Sequence, residues 1–206
     1  MIRRILVWDA PTRVFHWLQA LAFCAAYWNA HSERLRIYHV ALGYIFLGLL
    51  VFRLLWGFVG TRYARFGSFL FNPKDIVAYL LKMGTGKPET YLGHSPGGSV
   101  AIWLLLALGL FIGVTGVLAL QDYASDLVVE LHGVATNVML GAILLHLIGV
   151  VVSSILHRQN LVSSMFSGYK SAESGDGIQR TYNWLGILIL VVVVVFWFAY
   201  LKYPLG

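Results

Sequence analysis

Five long apolar runs dominate this chain of 206 residues and limit the folds that it can adopt. A helix that crosses a bilayer needs about 20 mostly apolar residues, and each run approaches or exceeds that length. The third and the fifth run contain no charged residue. In chain order, the runs are residues 12–29, 37–59, 99–120, 127–156 and 184–201. We therefore predict an all-α fold, an integral membrane helical bundle whose fifth transmembrane helix is C-terminal.

Composition agrees with a membrane protein and excludes several other classes. The chain is 59% hydrophobic and 12% charged, whereas a soluble domain carries about 25% charged residues. The single cysteine, Cys24, rules out a disulfide within the chain. Because no Cys-x-x-Cys-His motif is present, a covalently attached c-type heme is also excluded.

The basic residues are distributed unevenly, and their distribution predicts the orientation in the membrane. Twelve of the 15 Lys and Arg residues fall in the N-terminal segment, around the loop after the second run, or after the fourth run. Since cytoplasmic loops are enriched in Lys and Arg, we expect a cytoplasmic N-terminus and a C-terminus on the outer side of the membrane. The formal charge of +6 is thus a topology signal, and no nucleic-acid partner is expected.

Two shorter segments carry further signals. The apolar run before Asp9 is too short for a cleavable signal peptide, so we expect the chain to begin with its mature fold. In the long loop, Asn72 and Pro73 are typical of a helix start. An apolar stripe follows there, formed by Ile76, Tyr79, Leu80 and Met83. This pattern predicts a short helix, either on the membrane surface or packed on the bundle.

Two histidines lie on one face of the fourth predicted helix. His132 and His146 are 14 residues apart, which leaves a net rotation of about 40° and a rise of about 21 Å in an α-helix. Both imidazoles therefore point the same way at two different membrane depths. Ionisable groups inside a membrane are rare and usually functional.

Each of these histidines has a candidate partner at a matching depth. His39 begins the second run near the outer surface and can meet His132, while His16 begins the first run near the inner surface and can meet His146. Two histidine pairs stacked across a membrane predict two non-covalent, bis-histidine b-type hemes. Because two histidines would then fill both axial positions of each heme iron, the pattern favours electron transfer over oxygen binding at the iron.

Other histidines and other functions compete with this interpretation. His157 is an alternative to His146 and His31 an alternative to His39, but both are flanked by polar residues at the ends of the runs. His94 lies in a turn and is interpreted as structural. A proton or metal transporter using the same histidines is the competing function. The runs contain few carboxylates, with only Glu130 near an end, which argues against transport.

Arginines and glycines near the histidines fit a porphyrin. Arg53 follows His39 by 14 residues and is predicted to pair with the propionates of the inner heme, unless it reaches the interface instead. Arg36, or Arg34, is the corresponding candidate for the outer heme. Glycines next to the histidines leave room for the ring, whereas those of the third run indicate helix packing. The first group is Gly43 and Gly133; the second is Gly109, Gly113 and Gly116.

Four segments together resemble a known family. They are residues 7–17 (VWDAPTRVFHW), 39–44 (HVALGY), 52–58 (FRLLWGF) and 93–98 (GHSPGG). With the spacing of His132 and His146, they make the chain similar to the bacterial cytochrome b561 family, which includes the cytochrome b subunits of nickel–iron hydrogenases. The resemblance covers residues 5 to about 168.

The resemblance implies a fold, cofactors, partners and a place in a bacterial inner membrane, with the C-terminus in the periplasm. It implies four core helices with two b hemes in residues 1–168, followed by a connector and the fifth helix in residues 169–206. The implied heme ligands are His16, His39, His132 and His146. Family members carry electrons between the quinone pool and a periplasmic partner, here a c-type cytochrome or a hydrogenase-like redox protein; the opening motif resembles members associated with c-type cytochromes.

The sequence is also compatible with two other functions and with several roles for the fifth run. A stand-alone superoxide:quinone oxidoreductase of the respiratory membrane is one alternative function, and a heme-free membrane anchor is another. The fifth run has no histidine and cannot ligate heme. It is free to dock a partner, to face lipid or to form a homodimer.

Overall fold

The computed structural model describes residues 3–86, 89–121, 125–173 and 175–204. Lys87 and Asp122, which enter the charge argument, lie outside the described residues. Within them, the chain forms seven α-helices and two short strands. The helices are α1 (Ala10–Asn29), α2 (Arg36–Val59), α3 (Pro73–Gly84), α4 (Pro96–Ala119), α5 (Asp126–Leu156), α6 (Leu161–Ser167) and α7 (Asn183–Lys202); the strands are β1 (Arg3–Leu6) and β2 (Tyr169–Ala172).

The predicted helical membrane bundle is confirmed. Every predicted run forms one helix whose ends lie within three residues of the expected ones. By length and composition, α2, α4, α5 and α7 can each cross a membrane. Helix α1 has 20 residues but is less apolar, since it carries Arg13, His16 and Gln19. That all five helices cross the membrane therefore stays a prediction.

The helices pack as two groups that leave a gap. Helix α1 packs along α2 and α7, α2 also packs against α4 and α7, and α4 packs along α5. Helix α5 has no comparably close backbone packing with α1 or α2. The two sets of helices that carry the predicted histidine pairs are thus held apart, with α4 as the bridge between them.

Glycines bring α4 against α2, as the sequence predicts. A Cβ atom placed on Gly109 would lie 3.3 Å from the Phe46 ring, and one placed on Gly113 would lie 2.6 Å from a methyl of Leu47. These two glycines therefore serve helix packing. Gly116, the third of the set, approaches His132 on α5 instead.

A small sheet closes one end of the bundle, which we call the lower end; the end with His39 is the upper end. Strands β1 and β2 pair antiparallel, with Ile5 opposite Lys170. The sequence analysis does not anticipate this sheet, because neither four-residue strand shows an alternating pattern. A separate apolar cluster beneath it contains Val7, Trp8 and Tyr63.

Helix α3 lies at the lower end and is packed on the bundle through one residue. It begins at Pro73 as predicted, although the Asn72 side chain donates to Asp75 rather than capping the helix. Tyr79 is buried against Gly97 of α4. Val77 and Leu81 are exposed apolar side chains of the same helix. The helix thus combines a packed face with an exposed apolar one.

Candidate functional site

The structure brings the predicted upper histidine pair together. The ring centroids of His39 and His132 are 6.4 Å apart, and their planes are nearly perpendicular at 83°. Nδ1 of His39 lies 2.8 Å from the carbonyl oxygen of Ala26, and Nδ1 of His132 lies 3.2 Å from Oγ1 of Thr115. The Thr115 hydroxyl itself donates to the carbonyl of Phe111, so it accepts from His132. Both Nδ1 atoms are therefore engaged, and each ring offers Nε2 to a ligand.

This spacing fits a metal ion between two imidazoles. Metal–imidazole bonds of about 2 Å place the ring centroids of a bis-histidine iron roughly 6 Å apart. Hydrogen bonds from Nδ1 to a carbonyl or a hydroxyl are the partners that orient ligating histidines. The upper pair thus meets the demands of an iron with two axial imidazoles.

Glycines around the upper pair leave room beside the rings. A Cβ atom on Gly43 or on Gly133 would meet nothing within 4 Å, in agreement with the open space predicted for a porphyrin. Gly116 has a different role, since its Cβ would lie 3.0 Å from Cε1 of His132. The missing side chain at this position lets the imidazole seat against α4.

The lower pair lies one level further down, with His146 on α5 like His132, and with His16 on α1. His16 and His146 lie within electrostatic range of each other, and both are half-buried. Nδ1 of His16 is enclosed and has no hydrogen-bond partner among the described residues. The rings of this pair do not approach as closely as those of His39 and His132. The two levels correspond to the 14-residue spacing on α5, about 21 Å along the helix.

An apolar layer separates the two levels. Phe23 of α1 contacts Phe46 of α2 with 6.2 Å between the ring centroids, and Met139 of α5 belongs to the same buried cluster. All three are at most 5% exposed. Water and ions are therefore excluded between the levels.

The two competing histidines lie in different surroundings from the four. Both ring nitrogens of His157 face backbone carbonyls, those of Ser153 at 2.8 Å and Glu89 at 3.2 Å. His31 is exposed in the turn before α2. This placement favours His146 and His39, as the sequence analysis does.

The two candidate arginines differ in their surroundings. Arg53 is 4% exposed, and its guanidinium lies over the rings of Phe66 at 5.2 Å and Phe69 at 5.8 Å. Its Nη1 is enclosed without a partner, and no described carboxylate lies within ion-pair distance. Arg53 is therefore buried rather than extended to the interface. Arg36 is exposed at the first turn of α2, three residues before His39.

Asp9 is a buried carboxylate to which the sequence analysis assigned no role. It is fully buried and accepts three hydrogen bonds, from Thr12 N at 2.8 Å, Trp56 Nε1 at 3.0 Å and Thr61 Oγ1 at 2.6 Å. It thereby joins α1 to the end of α2 and the loop that follows. Its position directly before a helix with proline in the first turn is the signal that reveals it.

His94 and Lys170 were likewise not predicted to lie near the site. The His94 ring lies between Trp8, with 4.7 Å between centroids, and Phe69, at 4.6 Å. Burial, and after it the charges of Lys170, Arg53 and His146, lower the pKa of His94 to about 3. Burial also lowers the pKa of Lys170 to about 8. His94 is therefore a neutral imidazole close to the lower pair.

Comparison with known proteins identifies the family. The sequence pattern of the family described as prokaryotic cytochrome b561 matches residues 7–168. The chain belongs to this family. It is 24% identical to the probable Ni/Fe-hydrogenase B-type cytochrome subunit of Rhizobium leguminosarum bv. viciae, over 80% of this chain and 87% of that protein. For the protein of the same description from Azotobacter vinelandii, identity is 25% over 81% and 88%, respectively. No solved structure matches the chain.

Membership of the b561 family gives the site its general chemistry. The chain is a membrane cytochrome of the b type that carries heme b and takes part in electron transport. The predicted family resemblance is thereby confirmed. The matched region ends at residue 168, so β2 and α7 lie beyond it.

Proposed function

We propose that this b561-family chain is a diheme cytochrome b that conducts electrons between a periplasmic redox partner and the quinone pool. His39 and His132 hold the outer heme at the upper end, and His16 and His146 hold the inner heme at the lower end. A bound heme supplies an iron that changes between its ferric and ferrous states. The protein positions the two irons, excludes water and tunes their potentials.

The geometry of the upper pair carries this proposal. The 6.4 Å between the His39 and His132 rings supports a shared iron, because both half-buried imidazoles have their Nδ1 atoms engaged and leave Nε2 for a ligand. The lower pair is supported by the 14-residue spacing of His132 and His146 on α5, with His16 supplied by the neighbouring α1.

Arginines complete the proposed cofactor sites. A buried guanidinium without a carboxylate partner is costly unless an anion compensates it. Arg53 meets that description at the lower level, and we assign it to the inner heme's propionates. Arg36 is assigned to the outer heme, where its exposure suits carboxylates at the membrane surface.

The partners follow from the two ends of the electron path. The upper end is proposed to face the periplasm and a c-type cytochrome or a hydrogenase-like protein; the relatives' names favour the latter. The lower end is proposed to exchange electrons with quinone. The apolar layer around Phe23 and Phe46 separates the two exchanges.

Visible spectra of the purified chain, with heme quantified per polypeptide, test the proposal. We expect about two six-coordinate b hemes per chain. His132→Ala should lose one heme and keep the other, because only the upper pair is broken. His31→Ala, an exposed histidine at the same end, is the matched control and should keep both. One heme in the wild type, or two normal hemes in His132→Ala, would contradict the ligand assignment.

A further inference from the structure

The lower end contains enclosed nitrogen atoms that lack hydrogen-bond partners. Besides Nδ1 of His16, and among the residues that the structure describes, three of them lie together: Nε1 of Trp8, Nη1 of Arg53 and Nδ1 of His94. These three side chains are neighbours: His94 stacks on Trp8, and both His94 and Arg53 contact the Phe69 ring. Buried polar atoms are usually paired, so a cluster of unmatched donors points to a missing acceptor.

The charges at this end point to an anionic acceptor. Arg53 and Lys170 are buried cations. The nearby Asp9 carboxylate is already occupied by donors from Thr12, Trp56 and Thr61. One buried carboxylate therefore faces two buried cations, and an additional anion would balance them.

The connector holds the turn that carries His94. Nζ of Lys170 donates to the carbonyl of Gly93 at 3.0 Å and lies 5.4 Å from the Trp8 ring centroid. Lys170 itself is anchored in β2 opposite Ile5 of β1. The sheet thus holds Lys170 against the His94 turn and Trp8, and donors enclosed in this way suit a permanently bound cofactor better than a ligand that enters and leaves.

We infer that His94 Nδ1 donates a hydrogen bond to a carboxylate of the inner heme, beside the Arg53 guanidinium, and that Lys170 positions the His94 turn from the connector. This inference rests on the proposed diheme function. It assigns a binding role to a turn outside the ligand-bearing helices, and it gives the segment beyond residue 168 a part in the cofactor site.

Two substitutions of His94 separate the hydrogen bond from the packing. His94→Phe keeps the ring between Trp8 and Phe69 but removes the donor. His94→Asn places an amide nitrogen near the position of Nδ1 and gives up the ring. His31→Phe is the control for replacing a histidine elsewhere. For each protein, heme per chain, the two midpoint potentials and the rate of heme transfer to excess apomyoglobin are measured.

We expect both hemes to be present and six-coordinate in His94→Phe. One midpoint potential should fall, because a carboxylate with less compensation stabilises ferric iron. One heme should also leave about tenfold faster, as loss of a hydrogen bond to a charged group implies. His94→Asn should restore both values at least in part, whereas His31→Phe should resemble the wild type.

Other outcomes separate this inference from the proposed function. Unchanged potentials and transfer rates in His94→Phe, in a protein with two hemes, would overturn the carboxylate contact and leave the diheme function standing. Unchanged hemes with a raised KM for quinone would also overturn it, in favour of a quinone contact. If His94→Phe does not fold, His94→Leu takes its place as the variant without a donor: a lowered potential that His94→Asn restores at least in part supports the inference, and wild-type potentials in His94→Leu contradict it. A wild type without two hemes would instead refute the proposed function.

Discussion

At the scale of single residues, the lower end is organised around one carboxylate. Asp9 begins α1, reaches Trp56 near the end of α2 and reaches Thr61 in the next loop. The same carboxylate attracts the Arg53 guanidinium through space. One side chain therefore connects the start of α1 to the end of α2, the two helices that carry His16 and His39.

We predict that Asp9→Asn destabilises the fold. An amide has only one acceptor oxygen, so at least one of the donors from Thr12, Trp56 and Thr61 would face an NH2 group. An unsatisfied buried polar group costs about 1–3 kcal/mol. Thermal unfolding in detergent should show a lower Tm. Asp176→Asn removes an exposed ion pair with Arg62 and should change little; an equal Tm for both variants would contradict the role of Asp9.

Gly116 offers a second residue-scale test, aimed at the upper pair. In Gly116→Ala the new methyl would lie 3.0 Å from Cε1 of His132, and the imidazole would have to shift. We expect less than the full complement of heme, or an altered spectrum for one heme, with the other unaffected. The measurement is heme per chain together with the reduced visible spectrum.

Gly141→Ala is the matched control for that test. Gly141 follows His132 by nine residues and so lies half a turn away around α5. A Cβ atom there would meet nothing within 4 Å. This variant should bind heme as the wild type does. Normal spectra in both variants would show that His132 does not need the space at Gly116.

At the scale of elements, helix positions and histidine depths follow from the sequence, whereas contacts at the lower end do not. Apolar runs and the 14-residue spacing of His132 and His146 are local patterns, and a regular helix converts them into faces and depths. Strands β1 and β2 are more than 160 residues apart along the chain. Their pairing brings Lys170 to the His94 turn, and no local pattern predicts it.

One hydrogen bond ties the separated helix groups together at the upper level. Tyr27 of α1 donates to Oδ1 of Asn137 of α5 at 2.8 Å, and Asn137 in turn donates to the carbonyl of Gly133. His39 faces the carbonyl of Ala26, the neighbour of Tyr27. The hydrogen bond between Tyr27 and Asn137 thus lies beside the upper pair and sets the distance between α5 and α1.

We predict that Tyr27→Phe and Asn137→Val weaken retention of the outer heme. Interhelical hydrogen bonds in membranes contribute about 0.6 kcal/mol on average, so each single change should speed heme loss about two- to threefold. The double variant should resemble either single one, because both remove the same bond. Heme transfer to apomyoglobin measures the rates. Strictly additive effects would argue against a shared tie.

At the scale of the whole molecule, the cations are distributed unevenly along the same axis on which the two proposed heme sites are stacked. Among the described residues, most cations surround the lower end, including buried Arg53 and Lys170. The upper end carries Arg34, Arg36 and Lys202. If heme propionates bind at both levels, the cations of the lower end balance their negative charge more fully than those of the upper end. The potential of the lower site should be raised relative to an uncompensated site, since nearby cations favour ferrous iron.

The orientation of that axis is the last prediction. Lys and Arg near helix ends are retained on the cytoplasmic side, so we expect the lower end inside. Cysteines introduced into a Cys24→Ser background report it: Ser125→Cys at the upper end and Thr85→Cys after α3, both exposed. In intact cells a membrane-impermeant maleimide should label the first and reach the second only after permeabilisation. The opposite labelling pattern would show that the protein has the inverse orientation. Arg53 and the proposed quinone exchange would then lie on the periplasmic side.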